Sequence, residues 1–346
     1  MTERTEQRDA VGGFGAAENG AVQDVAAVQS AAPYGTSAAD RAQRRGIRER
    51  LNASENRQLI MGVAATLAGG TFWGFSGTCA SFLFDNYQVD TLWLMCARQI
   101  CSGLLFLIPI LAFDRARFIK LWRTPRDLAI LLVFTLGGVL LNQFGYLMAV
   151  RLTNAGTATV LQCLQLVIIM VYACLRTRRA PRRRELAGVA LALAGTYLIA
   201  TGGNPANLAI PAEGLVIGLV AAVGAACMSI IPAGLLGRYG SSIVTGSGML
   251  ISGLVSSAFI QPWTNMPAFD AMGWGAFTVL AFVGSFLAYF LYMQGVRDIG
   301  SMRASLIGTV EPISATVTSA LLLGTFFAPT DLAGFALIIA MVFLTV

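Results

Sequence analysis

The chain has 346 residues, of which 56% are hydrophobic and only 12% charged. A soluble domain carries roughly a quarter of its residues as charges, so a soluble enzyme or binding module is excluded. The net charge of +6 sits beside apolar runs instead of forming one basic face, which excludes nucleic acid as a partner and points to the lipid bilayer.

Residues 1–58 are rich in Ala, Gly, Gln and Ser, with few large apolar groups. Such a segment cannot bury enough surface to offset its ordering entropy, so a disordered N-terminal segment is expected there, on the cytoplasmic side. It has no apolar core of the kind a signal peptide needs. Its basic end, Arg41 to Arg57, is expected to form a short surface helix.

From Leu59 onward, apolar runs alternate with short polar breaks. A bilayer core of about 30 Å needs about 20 apolar residues per helix. Ten runs fit: 59–84, 91–113, 128–150, 155–175, 186–202, 213–236, 244–263, 273–296, 304–325 and 331–346. The expected fold is an all-α membrane protein of ten transmembrane helices. The tenth run reaches the chain end, and a trimmed C-terminus is expected from that.

Basic residues near the helix ends set the orientation. They cluster before the first run, between the second and third (Arg115, Arg117, Lys120, Arg123, Arg126) and between the fourth and fifth (Arg176 to Arg184). Arg238, Arg297 and Arg303 follow in later even-to-odd connections, whereas the opposite side has only Arg151. Both termini are therefore expected in the cytoplasm. Arginine greatly outnumbers lysine, which suggests a bacterial genome of high GC content and a plasma-membrane location.

The second half repeats the first. At a constant offset of 146 positions, Gly138 to Tyr146 falls on Gly284 to Tyr292, with Leu141, Phe144 and Tyr146 on Leu287, Phe290 and Tyr292. In the same register Val150-Arg151 falls on Val296-Arg297, Ala158 on Ala304, and Glu185 to Leu191 on Asp331 to Leu337. The expected repeats are 59–202 and 213–346. Each holds five helices, and five is odd, so the second copy must enter the membrane inverted. The loops equivalent to the two basic connections of the first repeat, Gln261–Met272 and Leu322–Thr330, contain no Lys or Arg. That is the charge flip an inverted copy requires. Inverted repeats are common in secondary transporters, where two halves exchange conformations.

Together with Trp73-Gly74, Arg98, Glu311-Pro312 after Arg303-Ala304-Ser305, and the glycines Gly188 and Gly334, these features resemble an EamA-type member of the drug/metabolite transporter superfamily. The resemblance covers 59–346. It implies a ten-helix fold around a central substrate cavity, without fixing the substrate. One departure stands out. The family pattern has proline in both repeats, whereas the first repeat here has Gln165-Leu166 where the second has Glu311-Pro312. The two halves are therefore expected to bend differently.

Ionisable groups within a bilayer are costly and tend to be functional. Two lie deep in the runs, Arg98 and Glu311. Pro312 removes a backbone donor and breaks the helix beside Glu311. The carboxylate then either binds substrate and couples a proton, or satisfies backbone groups freed by the break. Arg98 has four readings: a substrate carboxylate, a pair with Glu311, bonds to loop carbonyls, or snorkelling to the interface. Polar side chains at helical spacing (Asn142 with Tyr146, Gln162 with Gln165, Ser285 with Tyr289, Tyr289 with Tyr292) turn away from lipid and either line a cavity or join helices. The expected substrate-binding set is Trp73, Asn142, Tyr146, Gln162, Gln165, Tyr289, Tyr292 and Glu311, with Arg98 structural or a charge for substrate. There is no histidine, and the six cysteines all lie in apolar runs without a CxxC pair, so no metal site, cofactor or enzyme chemistry is expected. Without a phosphate-binding GxxxxGK[ST] loop, ATP does not drive the chain. The reading is a secondary transporter for a small metabolite or drug-like solute, such as an amino acid, by alternating access and in the export direction, with proton coupling as one option. A pore or a non-transporting scaffold is the alternative, with a membrane-embedded enzyme a more remote one.

Overall fold

The computed structural model describes residues 38–204 and 208–345, all helix and connection with no strand among them. The part of the expected disordered segment at 1–37 lies outside the described residues, whereas the basic stretch Arg41 to Arg57 is helical. The described residues divide at Leu59, and those from Ile60 onward form the helical bundle.

Eight helices among the described residues are long and apolar enough to cross a membrane. They are α1 (Asn56–Tyr87), α2 (Thr91–Phe113), α3 (Pro125–Leu152), α4 (Ala155–Thr177), α6 (Ala212–Ile230), α7 (Ser241–Ile260), α8 (Ala271–Ile299) and α9 (Leu306–Leu323). The fifth and tenth expected runs form α5 (Arg183–Thr201) and α10 (Pro329–Thr345). They fall short for physical reasons. Arg183, Arg184 and Glu185 fill the first turn of α5, and the 17 residues of α10 reach only about 25 Å at 1.5 Å per residue. The sixth run also ends early. The chain turns at Ile231-Pro232 and restarts as Ala233–Tyr239, because Pro232 has no N–H to continue the ladder.

Helix pairing shows the inversion. Gly103 lies against Leu250, and Gly253 against Ile100, so α2 and α7 run antiparallel. Gly195 lies against Ile338, and Gly334 against Ile199, so α5 and α10 do as well. These are equivalent helices of the two repeats packed on each other head to tail. The remaining contacts come in mirrored pairs. Helix α6 packs on α3 through Gly145 against Ala221 and Gly224 against Asn142, while α1 packs on α8 through Gly69 against Ala288 and Gly295 against Thr66. Between membrane helices there is no water to expel, so small residues that let backbones approach supply the contact.

A mirrored clasp closes each cross-repeat pair. Asp127, at the start of α3, accepts from the Tyr239 hydroxyl at 2.7 Å and from Arg238 at 2.9 Å. Asp270, at the start of α8, accepts from the Tyr87 hydroxyl and caps the helix at the Gly273 amide at 2.8 Å. The Tyr87 hydroxyl, and then these helix amides, hold the Asp270 carboxyl below its usual range. Tyr87 and Tyr239 each end the first helical stretch of their repeat.

Two irregularities also come in pairs. The backbone widens to π-helix at Thr135–Leu140 in α3 and at Val279–Leu287 in α8, which the repeat register superimposes. Helices α4 and α9 are both interrupted, at Cys163-Leu164 and at Thr309. The two halves, expected to bend differently, are both interrupted, and the difference lies in how each break forms. In α9 the break is followed by Pro312, and the Thr309 hydroxyl donates to Leu306 O at 2.7 Å. In α4 the same break forms without proline. The Cys163, Leu164 and Leu166 amides turn to carbonyls three residues back, at 3.1 Å each, a 3₁₀ tightening of the kind found at hinges.

Candidate functional site

These paired irregularities surround one cavity of about 300 Å³. Its wall takes Trp73 and Ser76 from α1, Arg98 from α2, Asn142, Gln143 and Tyr146 from α3, Gln162 and Gln165 from α4, Ser285 and Tyr289 from α8, and Glu311 from α9. Gln162 and Gln165 flank the interruption of α4, and Glu311 follows that of α9. Ser285 lies within the π segment of α8, and Asn142 and Gln143 directly follow that of α3. A π turn shifts the helix register by one residue, which aims side chains that a regular α-helix would direct elsewhere.

Seven of the eight residues expected to bind substrate, and Arg98, line this one space. Tyr292 does not. Its ring packs on Trp73 with centroids 4.9 Å apart, behind the wall. The sequence reading missed Phe134, Met228, Ser229, Leu236, Thr245 and Met249. Apolar residues facing a cavity and facing lipid look alike in composition. Gln143 and Ser76 were open to detection as polar neighbours of Asn142 and Trp73.

The polar groups divide into those already engaged and those left free. Asn142 donates to Ala221 O at 3.0 Å and so ties α3 to α6. The Tyr146 hydroxyl shares a 3.2 Å hydrogen bond with Thr159, and the Tyr289 hydroxyl one of 2.7 Å with Thr245. Arg98 is only 6% exposed, which rules out snorkelling. Its Nε donates to Ser285 Oγ at 2.7 Å, and among the described residues no loop carbonyl receives it. Its Nη1 is buried without a hydrogen-bond partner. Among the described residues Arg98 and Glu311 form no ion pair, and the half-buried Glu311 carboxylate has no hydrogen-bond partner.

Met228, Pro232, Leu236, Thr245 and Met249 extend the cavity from the middle of the bundle towards the end that carries the basic connections. Beyond Tyr146 the other half is filled by a buried core that includes Leu83, Phe84, Leu94, Leu147, Val150 and Leu280.

Comparison with known proteins agrees with this architecture. The EamA-like transporter family model matches twice, at residues 60–201 and 212–346. An uncharacterized inner membrane transporter, YicL of Salmonella typhimurium, is 31% identical over 283 residues, which cover 82% of this chain and 94% of that protein. An uncharacterized transporter, YwfM of Bacillus subtilis, is 22% identical over 78% of this chain and 88% of its own length. A solved structure called "Crystal structure of protein" matches with a TM-score of 0.55 at 18% identity, over 84% of this chain and 96% of that one; at that identity it bears on the fold alone. The chain therefore belongs to the EamA-like transporter family.

Proposed function

We propose that the protein is a secondary transporter that moves a small solute across the bacterial plasma membrane by alternating access, in the export direction. The observation that carries this reading is a mid-bundle cavity between two repeat-equivalent broken helices, lined towards the basic end by Met228, Pro232, Leu236, Thr245 and Met249 and bordered by packed core at the other. Helices with repeat-equivalent interruptions can exchange shapes, and the exchange would open the packed half and close the other. Residues Trp73, Asn142, Tyr146, Gln162, Gln165, Tyr289 and Glu311 contact the solute in this account, and Glu311 also carries the coupling proton. The packed half counts against an open pore.

The basic end, and with it both termini, faces the cytoplasm in this account. Cysteines placed at the exposed Asn204 and Asn265 in a cysteine-free background are expected to react with an impermeant reagent outside intact cells. Labelling only after permeabilisation would reverse the orientation. For alternation, Ser229→Cys, in the cavity wall, is expected to label from the basic side at rest. Ala158→Cys, inside the blocking core, is expected to label from the opposite side only during turnover. An Ala158→Cys reporter that stays protected while transport proceeds would refute alternating access through this path.

A further inference from the structure

We propose that a groove on the outside of the bundle, between α3 and α6, binds a phospholipid whose headgroup carries a phosphate and a primary ammonium, as in phosphatidylethanolamine. The groove measures about 700 Å³ and lies at the end of the bundle opposite the basic connections. Its wall takes Phe144, Met148 and Arg151 from α3, and Glu213, Val216 and Ile217 from α6. Phe144 and Met148 each follow a cavity-lining residue, Asn142 and Tyr146, by two positions. Two positions are about 200° around a helix of 3.6 residues per turn, so this face of α3 points away from the transport cavity, towards lipid. Arg151 ends its helix and Glu213 begins the next, which puts both charges at the membrane surface and the apolar residues deeper. From Arg151 to Phe144 the axis advances about 10 Å at 1.5 Å per residue. That is about two thirds of one leaflet of a hydrocarbon core about 30 Å thick. A groove charged at the interface and apolar below it has the layout of a phospholipid.

The two charges select the headgroup. Connections on this side of the bundle carry no Lys or Arg besides Arg151, so the cation is not part of the charge bias that orients the chain. Its Nη1 donates to Thr91 Oγ1 at 3.1 Å, and the guanidinium stands 5.9 Å from the centre of the Phe84 ring. These contacts hold the group in place, while Nε and Nη2 have no hydrogen-bond partner among the described residues. Two adjacent N–H donors of a guanidinium match two oxygens of a phosphate. The repeat equivalent, Arg297, has the Asp298 carboxylate 3.5 Å away, whereas the residue after Arg151 is Leu152. Glu213, exposed in the first turn of α6, forms no ion pair or side-chain hydrogen bond among the described residues. With its phosphate on Arg151, an ethanolamine headgroup can turn its ammonium to Glu213. An anionic headgroup such as glycerol phosphate meets repulsion from that carboxylate, and a choline headgroup has no N–H to donate to it.

The test uses purified, delipidated full-length protein in mild detergent. Native mass spectrometry follows the binding of dioleoyl-phosphatidylethanolamine, dioleoyl-phosphatidylglycerol and dioleoyl-phosphatidylcholine, with glycerophosphoethanolamine as a headgroup without chains. The ethanolamine lipid is expected to bind roughly tenfold more tightly than either of the other two, the discrimination a charge-assisted hydrogen bond supports. Glycerophosphoethanolamine at the same concentration is expected not to displace it, because the apolar wall has nothing to hold. Arg151→Gln is expected to abolish the tight binding. Glu213→Lys is expected to invert the preference, so that the glycerol lipid binds more tightly than the ethanolamine lipid. A new preference is a gain that a misfolded variant cannot produce, so the assignment does not depend on Arg151→Gln folding. Equal binding of the three lipids by the wild-type protein would overturn the proposal, and so would an unchanged ethanolamine preference in Glu213→Lys. Displacement by glycerophosphoethanolamine as effective as by the intact lipid would overturn it as well, since the ligand would then be a soluble phosphate ester.

Discussion

Gly224→Val is expected to abolish recovery of folded protein. A Cβ added at Gly224 would lie 2.5 Å from the Asn142 amide nitrogen and 2.7 Å from its Cα. These are backbone atoms of α3, so no rotamer change relieves the clash. Overpacking relieved by side-chain movement costs about 1–3 kcal/mol, and here α3 and α6 must part, which also breaks the Asn142 bond to Ala221 O. The expected cost is at or above the top of that range. Size-exclusion profiles in mild detergent and the melting temperature report it. Gly237→Val is the control, because nothing lies within 4 Å of its added Cβ. A variant at 224 that elutes and melts like the wild type would show that the α3–α6 contact is not tight.

The second large effect is at Glu311. Glu311→Gln keeps the shape, and no hydrogen bond or ion pair of the carboxylate among the described residues is lost, so expression is expected to match the wild type. Uphill uptake driven by a pH gradient is expected to fall by roughly tenfold or more, in line with the loss of a charge-assisted contact. Exchange of solute for solute, which needs no net proton movement, is expected to survive in part. Initial rates in proteoliposomes across a pH series separate the two. If Glu311 couples protons, the pH dependence disappears in the variant. Wild-type pH dependence in Glu311→Gln would leave the carboxylate a structural role only.

Much of this architecture was legible in the sequence because two signals were unbroken. Apolar runs divided by charged connections gave the helices, and one register from Gly138 to the chain end gave the repeat. The family model matches twice, at residues 60–201 and 212–346. Arg98 and Glu311 stood out as charges in apolar surroundings, but their relation did not. Whether they pair depends on side-chain geometry across α2 and α9, and spacing along the chain holds no information on that. The break in α4 was hidden for a related reason. Proline marks an interruption by removing a donor, whereas Cys163 and Leu164 are interrupted by a local change of hydrogen-bond partner that has no residue signature. The π segments left only the glycines Gly137, Gly138 and Gly284 as a trace. Tyr292 shows the limit of periodicity. Three residues from Tyr289, it shares a helix face in an ideal helix, yet its ring packs at a tilt on Trp73 and stays out of the cavity wall.

Counterflow in proteoliposomes tests the central claim most directly. Vesicles are loaded with excess unlabelled solute, such as L-leucine or a ligand found by thermal-shift screening of amino acids, sugars and cationic drugs, and then given a trace of labelled solute outside. A cavity open to one side at a time must return loaded as it turns over, so labelled solute is expected to accumulate transiently above its equilibrium level, saturably, and not in empty vesicles. Simple, non-saturating equilibration of the label at the same rate in loaded and empty vesicles would contradict alternating access and identify a pore.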